Sequence, residues 1–516
     1  MPPPNPQLDQ FTANAPASCA WLIADKSRRA DLLGAIAAAL EARRQDILNT
    51  TRDETALTVE ELTPEFARVT GTLRMFAGIA RDGSWARAAI DAPRASATDA
   101  IGPNHDVRCM LVPVGPIAVF GASNFPLAYG VCGGDTASAL AAGCPVVVKE
   151  HPAHPRTGRL IHNIAKAAIA GHGAPPDLLG YVPNEDPKDL SIAQAIVQHP
   201  AIKAIGFTGS QGAGLAIEQL ARERSFHIPV FAEMGSNNIV VISAAAAQAR
   251  AHDIADQLAS SILQRSGQQC TRPGTIIIEP GEAGTRLIEH LAQRIQSSPG
   301  RDMLAPWIKR SYEHRLMQVG ACPGVRTAAR GKVQPGPRGS HAALFAIDNH
   351  QGDARAAFNQ DALREEIFGP AAVVAQLPFG MLSDLHLPGS LTYSIYCEPA
   401  EHSTNPALRQ AVDAATRSAG RVSFNGVPTG VRVCASMVHG GPFPATNRPD
   451  TTAVGPRAIE RWCRPVCYQN CPDDLLPPEL QATNPLHIFR QLDGLSLIHI
   501  SEPTRLRRIS YAVFCL

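Results

Sequence analysis

The chain has 516 residues, with 47 basic and 46 acidic side chains and a net charge of +1. That length allows two or three domains with sizeable cores, and the even charge balance argues against nucleic acid or an anionic membrane surface as a partner. No apolar run is long enough to span a membrane, and Met1-Pro2-Pro3-Pro4 lacks the pattern of a secretory signal, so a cytoplasmic protein is expected.

The 12 cysteines are scattered, which in that compartment predicts reduced thiols rather than a disulfide frame. Cys463, Cys467 and Cys471 recur every four residues and would share a helix face. Pro465 and Pro472 interrupt such a helix, and no CxxC pair accompanies it, so no metal site is expected.

In chain order, residues 28–53 and 58–79 read as amphipathic helices, with Pro64 near the start of the second. Residues 91–109 are polar and broken by Pro93 and Pro103, as in an extended hairpin. Short apolar strands then alternate with helices. Strands are predicted at 116–121, 144–149, 179–183 and 202–207, with helices at 135–142 and 157–170. This rhythm predicts a doubly wound parallel sheet. A second α/β unit begins near residue 235, with strands at 238–242 and 275–279 around a helix at 249–265. Residues 331–339 read as a loop, and 376–410 show no regular pattern.

Cys270 lies in Ser266-Gly267-Gln268-Gln269-Cys270-Thr271-Arg272, among small and polar neighbours that do not suit core filling. Glu233 precedes Met234-Gly235-Ser236-Asn237-Asn238 between two apolar runs. Together they suggest a nucleophile and a base that handles water. Asn124, after the 116–121 strand, is either an oxyanion donor or a turn residue before Pro126. Gly206-Phe207-Thr208-Gly209-Ser210-Gln211-Gly212-Ala213-Gly214 lacks the G-x-G-x-x-G spacing; it is a phosphate-binding helix start or a tight turn. Lys149 ends a strand, where it would face a ligand crevice or only solvent. Glu366 and Phe368 lie near a turn. His439-Gly440-Gly441-Pro442 is a glycine-rich loop in which a lone histidine reads as structural.

Taken together, in this order and approximate spacing, Asn124, Lys149, Gly209, Gly214, Glu233, Cys270, Glu366 and Phe368 resemble the aldehyde dehydrogenase superfamily, from the first helices to about residue 495. Residues 133–149, 424–430, 439–442 and 464–470 are most similar to its 2-oxoglutarate semialdehyde (2,5-dioxovalerate) branch. The resemblance implies an α/β fold of two doubly wound parallel-sheet domains plus a small β oligomerisation element. Residues 1–90 and 112–234 would form the dinucleotide-binding domain, 235–462 the catalytic domain, and 91–111 with 463–495 the bridging element. Residues 496–516 do not resemble the family and are expected to be poorly ordered or loosely packed.

The roles implied are Cys270 as thiolate nucleophile, Asn124 as oxyanion donor and Glu233 as the base that hydrolyses the thioester. Lys149 and Glu366 would hold the cofactor riboses, Gly209, Ser210 and Gly214 the pyrophosphate turn, and Phe368 the nicotinamide ribose. Pro152 stands where many NAD-preferring relatives carry a glutamate, so NADP is expected, with NAD the other candidate. Arg272 is a candidate for a substrate carboxylate. The implied partner is a small aldehyde, and the implied assembly a homodimer or homotetramer. Two rivals remain at this stage. One is a cofactor-independent cysteine hydrolase or acyltransferase, which would need a histidine beside Cys270. The other is an inactive relative serving as a scaffold.

Overall fold

The computed structural model describes residues 5–93, 104–184, 186, 188–347, 358, 360–385 and 387–497. The chain opens with four helices: α1 (Pro6–Ala24), α2 (Lys26–Ala42), α3 (Arg44–Thr55) and α4 (Val59–Asp82). The second and fourth start on side-chain caps. Asp25 accepts from the Ser27 amide, and Thr58 with Glu61 forms a reciprocal capping box. Leu62, Phe66, Val69, Leu73 and Phe76 follow the helical period along α4 and are buried in one core with α2. The predicted 28–53 helix is two helices that break at Arg43.

The central sheet consists of β3 (Ile117–Phe120), β4 (Val146–Lys149), β5 (Leu179–Val182), β6 (Ala204–Thr208) and β7 (Val230–Glu233). Its order is β5-β4-β3-β6-β7 and every neighbour is parallel. Its strands are almost wholly buried, as expected of a parallel sheet covered on both faces. The crossovers include α5 (Gly134–Ala142), α6 (Pro155–Gly171), α7 (Ser191–Gln198) and α8 (Gln211–Arg222). Chain order reverses between β3 and β6, so the carboxyl ends of these two strands flank a natural ligand crevice.

The second sheet runs β10-β11-β12-β9-β8-β13-β14. Its members are β8 (Asn238–Ile242), β9 (Pro273–Ile278), β10 (Val325–Arg330), β11 (Ala343–Ile347), β12 (Ala371–Gln376), β13 (Ser390–Tyr396) and β14 (Ala419–Phe424). All neighbours are parallel except β10 with β11. Helix α9 (Ala244–Leu263) and α10 (Glu282–Ser297) cover one face. The stretch 376–410, which showed no pattern in the sequence, holds the wholly buried strand β13.

A third, smaller sheet runs β15-β2-β1-β16-β17, from β1 (Ala89–Asp91), β2 (Val107–Pro113), β15 (Cys463–Gln469), β16 (Arg490–Leu492) and β17 (Leu495–Leu497). Strand β2 runs two residues past the expected boundary at 111. Val454, Ala458, Ile459 and Trp462 pack into the core of the first sheet, so residues 454–462 return to it rather than staying with 235–453. Cys463 and Cys467 lie on an extended strand, not a helix, and Cys471 lies beyond it. The expected tail begins as strand, since Ser496 and Leu497 pair with Gln491 and Arg490; residues 498–516 lie outside the described residues.

Candidate active site

Four chain segments leave the carboxyl edge of the five-stranded sheet, and each carries a residue singled out in the sequence. Lys149 ends β4, Asn124 follows β3, Gly209 and Ser210 follow β6, and Glu233 ends β7. The amino edge of the seven-stranded sheet supplies the rest. Cys270 precedes β9 and Glu366 precedes β12. The link Glu233–Asn238 runs from one edge to the other.

The loop ahead of Cys270 is held in an uncommon backbone conformation. Arg265, Ser266 and Gly267 all have positive φ, at 53°, 53° and 64°. Gly267 is required there, because a Cβ would meet the Gly369–Pro370 peptide at 2.3 Å. The strain at the two non-glycines is offset by dense anchoring. Arg265 pairs with buried Glu65, donates to the Asn124 carbonyl at 3.2 Å, and lies 4.3 Å from the Phe125 ring. Ser266 Oγ donates to the Asp302 carbonyl at 3.0 Å. Beyond the loop, Asn238 Nδ2 donates to the carbonyls of Cys270 and Arg272 at 2.8 and 2.9 Å. Cys270 is therefore fixed from both sides and is half-buried.

The structure brings Glu233 and Cys270 together and adds His439 between them. His439 Nε2 lies 3.7 Å from Cys270 Sγ and 2.9 Å from Glu233 Oε1. One donor atom from each of the three lies within 4.8 Å of the others. Glu233 is 4% exposed, and neither of its oxygens takes a well-directed hydrogen bond among the described residues. His439 is 3% exposed and lies beside the Tyr129 ring, 6.4 Å between centroids. Its amide donates to Thr452 Oγ1 at 2.9 Å, and its carbonyl accepts from Ala453 N at 2.8 Å. Gly441, at φ 154°, lets the loop press on β13, where a Cβ would meet the Ser390 carbonyl at 2.3 Å. The sequence read His439 as structural; the structure places its ring against the thiol. A histidine followed by two glycines was the only signal in the sequence.

Burial, then the charges of Glu233 and Glu366, push the Cys270 thiol well above its ordinary value, while Arg68 on α4 opposes them. Burial also pushes Glu366 up to about 7. Its carboxylate lies against Gly235, where a Cβ would meet Oε2 at 2.6 Å. Asn124 Nδ2 donates to the Gln268 carbonyl at 3.0 Å, which places the amide against the Cys270 loop and leaves its second N–H for a ligand. Arg272 does not suit the substrate reading. It is 1% exposed, and its guanidinium donates to the carbonyls of Pro273, Ala371 and Ile367, tying the starts of β9 and β12 together.

Lys149 is half-buried, and burial lowers it to about 8; its Nζ donates to the Glu150 carbonyl at 3.0 Å. Ser210 caps α8, accepting from Ala213 N at 3.4 Å. Gly209 is exposed beside the Phe207 ring, and Gly214 is explained by packing, since a Cβ there would meet Met234 at 2.9 Å. Phe368 is half-buried on the Glu366 segment. A cation at a strand end and a capped helix start, beside a reversal of chain order, fit a dinucleotide phosphate and ribose.

Residues 6–321 match the profile described as the aldehyde dehydrogenase family. The chain is 40% identical over 474 residues to alpha-ketoglutaric semialdehyde dehydrogenase 2 of Azospirillum brasilense, covering 90% of this chain and 87% of that protein. It is 37% identical over 476 residues to alpha-ketoglutaric semialdehyde dehydrogenase of Acinetobacter baylyi, covering 91% and 87%. Its fold is similar to a crystal structure of a putative aldehyde dehydrogenase from Burkholderia cenocepacia, with a TM-score of 0.72 at 20% identity over 90% of this chain and 91% of that one. With its parallel-sheet architecture and these similarities, the chain belongs to the aldehyde dehydrogenase family and is an oxidoreductase acting on aldehydes with a nicotinamide cofactor.

Proposed function

We propose that this enzyme oxidises 2-oxoglutarate semialdehyde to 2-oxoglutarate, and that Cys270, Glu233 and Asn124 carry the reaction. The observation that supports it most is the approach of a half-buried thiol and a buried carboxylate, bridged by His439. The Cys270 thiolate bonds to the aldehyde carbon. The carbonyl oxygen gains negative charge beside the free N–H of Asn124 and the Cys270 backbone amide. A nicotinamide cofactor held by Lys149, Ser210 and Glu366 would supply the hydride acceptor. Glu233 then takes a proton from water as its oxygen attacks the thioester, and the carbon–sulfur bond breaks.

Lys149, Ser210 and Glu366 are proposed to hold the cofactor, with Gly209 and Gly214 shaping the helix start and Phe368 walling the nicotinamide ribose. NADP is the proposed preference. Glu150, the acid next to Lys149, is fully used by Arg159, Tyr181 and the Asn184 amide. Pro152 adds no charge, so no free carboxylate on this stretch repels a 2′-phosphate. Burial lowers both His151 and His154, which leaves Lys149 and exposed Arg156 as the cations there. The position of β15 at one edge of the small sheet, with backbone groups left to pair, supports association as a homodimer or homotetramer through that edge.

Arg68 replaces Arg272 as the receptor for the substrate carboxylate. It is half-buried, its charge acts on the thiol, it donates to Tyr129 Oη at 3.4 Å, and it has no carboxylate partner among the described residues. A charged hydrogen bond contributes about 1.5–3 kcal/mol. Arg68→Met is therefore expected to raise KM for the semialdehyde about 10–100-fold while leaving KM for an uncharged short aldehyde nearly unchanged. Steady-state assays with NADP and with NAD check both claims. Equal losses for the two aldehydes would remove Arg68 from the reading; folded protein that turns over no aldehyde would remove the reading itself.

A further inference from the structure

We infer that His439 is the catalytic group that takes the Cys270 proton and later returns it. The inference rests on the aldehyde-oxidising reading of the site and adds a residue to it. The thiol cannot ionise readily alone, because burial and the carboxylates of Glu233 and Glu366 all favour the protonated form. His439 Nε2 is within reach of Sγ, and Glu233 Oε1 is placed to stabilise the imidazolium that results. In the first step the S–H bond breaks and an Nε2–H bond forms, giving thiolate, imidazolium and carboxylate in one cluster. When the thioester is hydrolysed, the sulfur leaves as thiolate and takes that proton back from Nε2. The proton from water goes to Glu233 and then to solvent, so protons balance over the cycle.

The surroundings suit this transfer. The groups whose charge couples to the thiol are Glu233 on β7, Glu366 before β12, Arg68 on α4, Tyr129 after β3 and Arg421 on β14. Burial keeps Tyr129 protonated well past neutrality. The guanidinium groups of Arg68 and Arg421 are donors with no acceptor for a proton. Arg421 is occupied by Thr392 Oγ1 and by the carbonyls of Gly430 and Pro428. Glu366 lies against Gly235. Among the described residues, His439 offers the ring nitrogen that reaches the sulfur.

The test needs neither aldehyde nor cofactor. Iodoacetamide reacts with thiolate, and the rate for the Cys270 peptide is followed by mass spectrometry between pH 5 and 10. His439→Gln is expected to move this profile up by about one unit and to slow alkylation at pH 7 about tenfold. In His439→Ala, added imidazole is expected to restore the rate. Superimposable profiles for wild type and His439→Gln, both shown folded by circular dichroism, would overturn the inference. So would an absence of imidazole rescue in a folded His439→Ala protein. If alkylation shifts but no aldehyde is oxidised, the fault lies in the functional reading and not in the role of His439 toward the thiol.

A second inference comes from strand register alone. We propose that Cys109 and Cys467, free thiols in this structure, are placed to form a cross-strand disulfide on oxidation. They are direct partners on antiparallel β2 and β15. Hydrogen bonds from Val114 N to the Trp462 carbonyl and from Asn470 N to the Asp106 carbonyl fix the ladder. Alternation from these pairs puts Cys109 and Cys467 at a non-hydrogen-bonded position. There Cα atoms lie about 4.5 Å apart, inside the range of about 4.4–6.8 Å that a disulfide spans. Cys467 is exposed and Cys109 half-buried. A small-molecule disulfide such as oxidised glutathione would supply the oxidant. Its S–S bond breaks as a mixed disulfide forms on Cys467. The Cys109 thiolate then displaces the second glutathione thiol, and two electrons pass from protein to glutathione. Full-length protein treated with oxidised glutathione should lose both thiols and yield a linked pair of peptides, and Cys467→Ser should abolish the link. Two separately glutathionylated or unmodified cysteines in wild type would overturn it.

Discussion

Glu366 shows how a single carboxyl can tie the site to solution pH. Its side chain rests on the peptide at Gly235, and burial raises it from 4.5 to about 7. The unfolded chain releases this proton near pH 4.5, whereas the folded chain holds it to about 7. Folding therefore loses stability as pH rises through that window, and none of this loss is present below it. Solvent access to the half-buried side chain limits the effect to about 1 kcal/mol, worth roughly 2–4 °C in a large domain. Glu366→Gln is expected to match wild type near pH 4 and to melt about 2–4 °C higher at pH 8, by differential scanning calorimetry without cofactor. A difference that does not change with pH would contradict this assignment.

At the scale of elements, legibility followed the match between side-chain pattern and burial. The apolar strands β3, β4 and β8 were read within a few residues, because a covered parallel strand is a continuous apolar run. Strand β13 was missed because Ser390, Thr392 and Ser394 alternate with its apolar residues and look solvated. Their needs are met inside the sheet: Ser390 Oγ donates to the Asn237 carbonyl at 3.1 Å, and Ser394 Oγ lies 2.7 Å from Ser423 Oγ. Helix α1 was missed because Pro16 and several polar residues dilute its pattern, although Asn5 caps it and Leu8, Phe11 and Leu22 are buried. Cys270 and Glu233 were legible because their neighbours suit neither core nor plain surface. His439 and Arg68 were not, since each reaches the thiol only through tertiary contacts of a distant loop or helix.

The molecule as a whole works by opposing two sheet edges. The carboxyl edge of the five-stranded sheet delivers Asn124, Lys149, Ser210 and Glu233; the amino edge of the seven-stranded sheet delivers Cys270 and Glu366. One edge is proposed to supply the sulfur that becomes acylated and the other the carboxylate that frees it. The most direct test is a rapid-mixing experiment with 2-oxoglutarate semialdehyde and NADP, monitoring the reduced cofactor. Glu233→Gln should release about one equivalent of reduced cofactor per site in a burst and then turn over about 10²–10⁴-fold more slowly than wild type, whereas Cys270→Ser should give no burst. Wild-type turnover by Glu233→Gln, or a full burst from Cys270→Ser, would contradict the account.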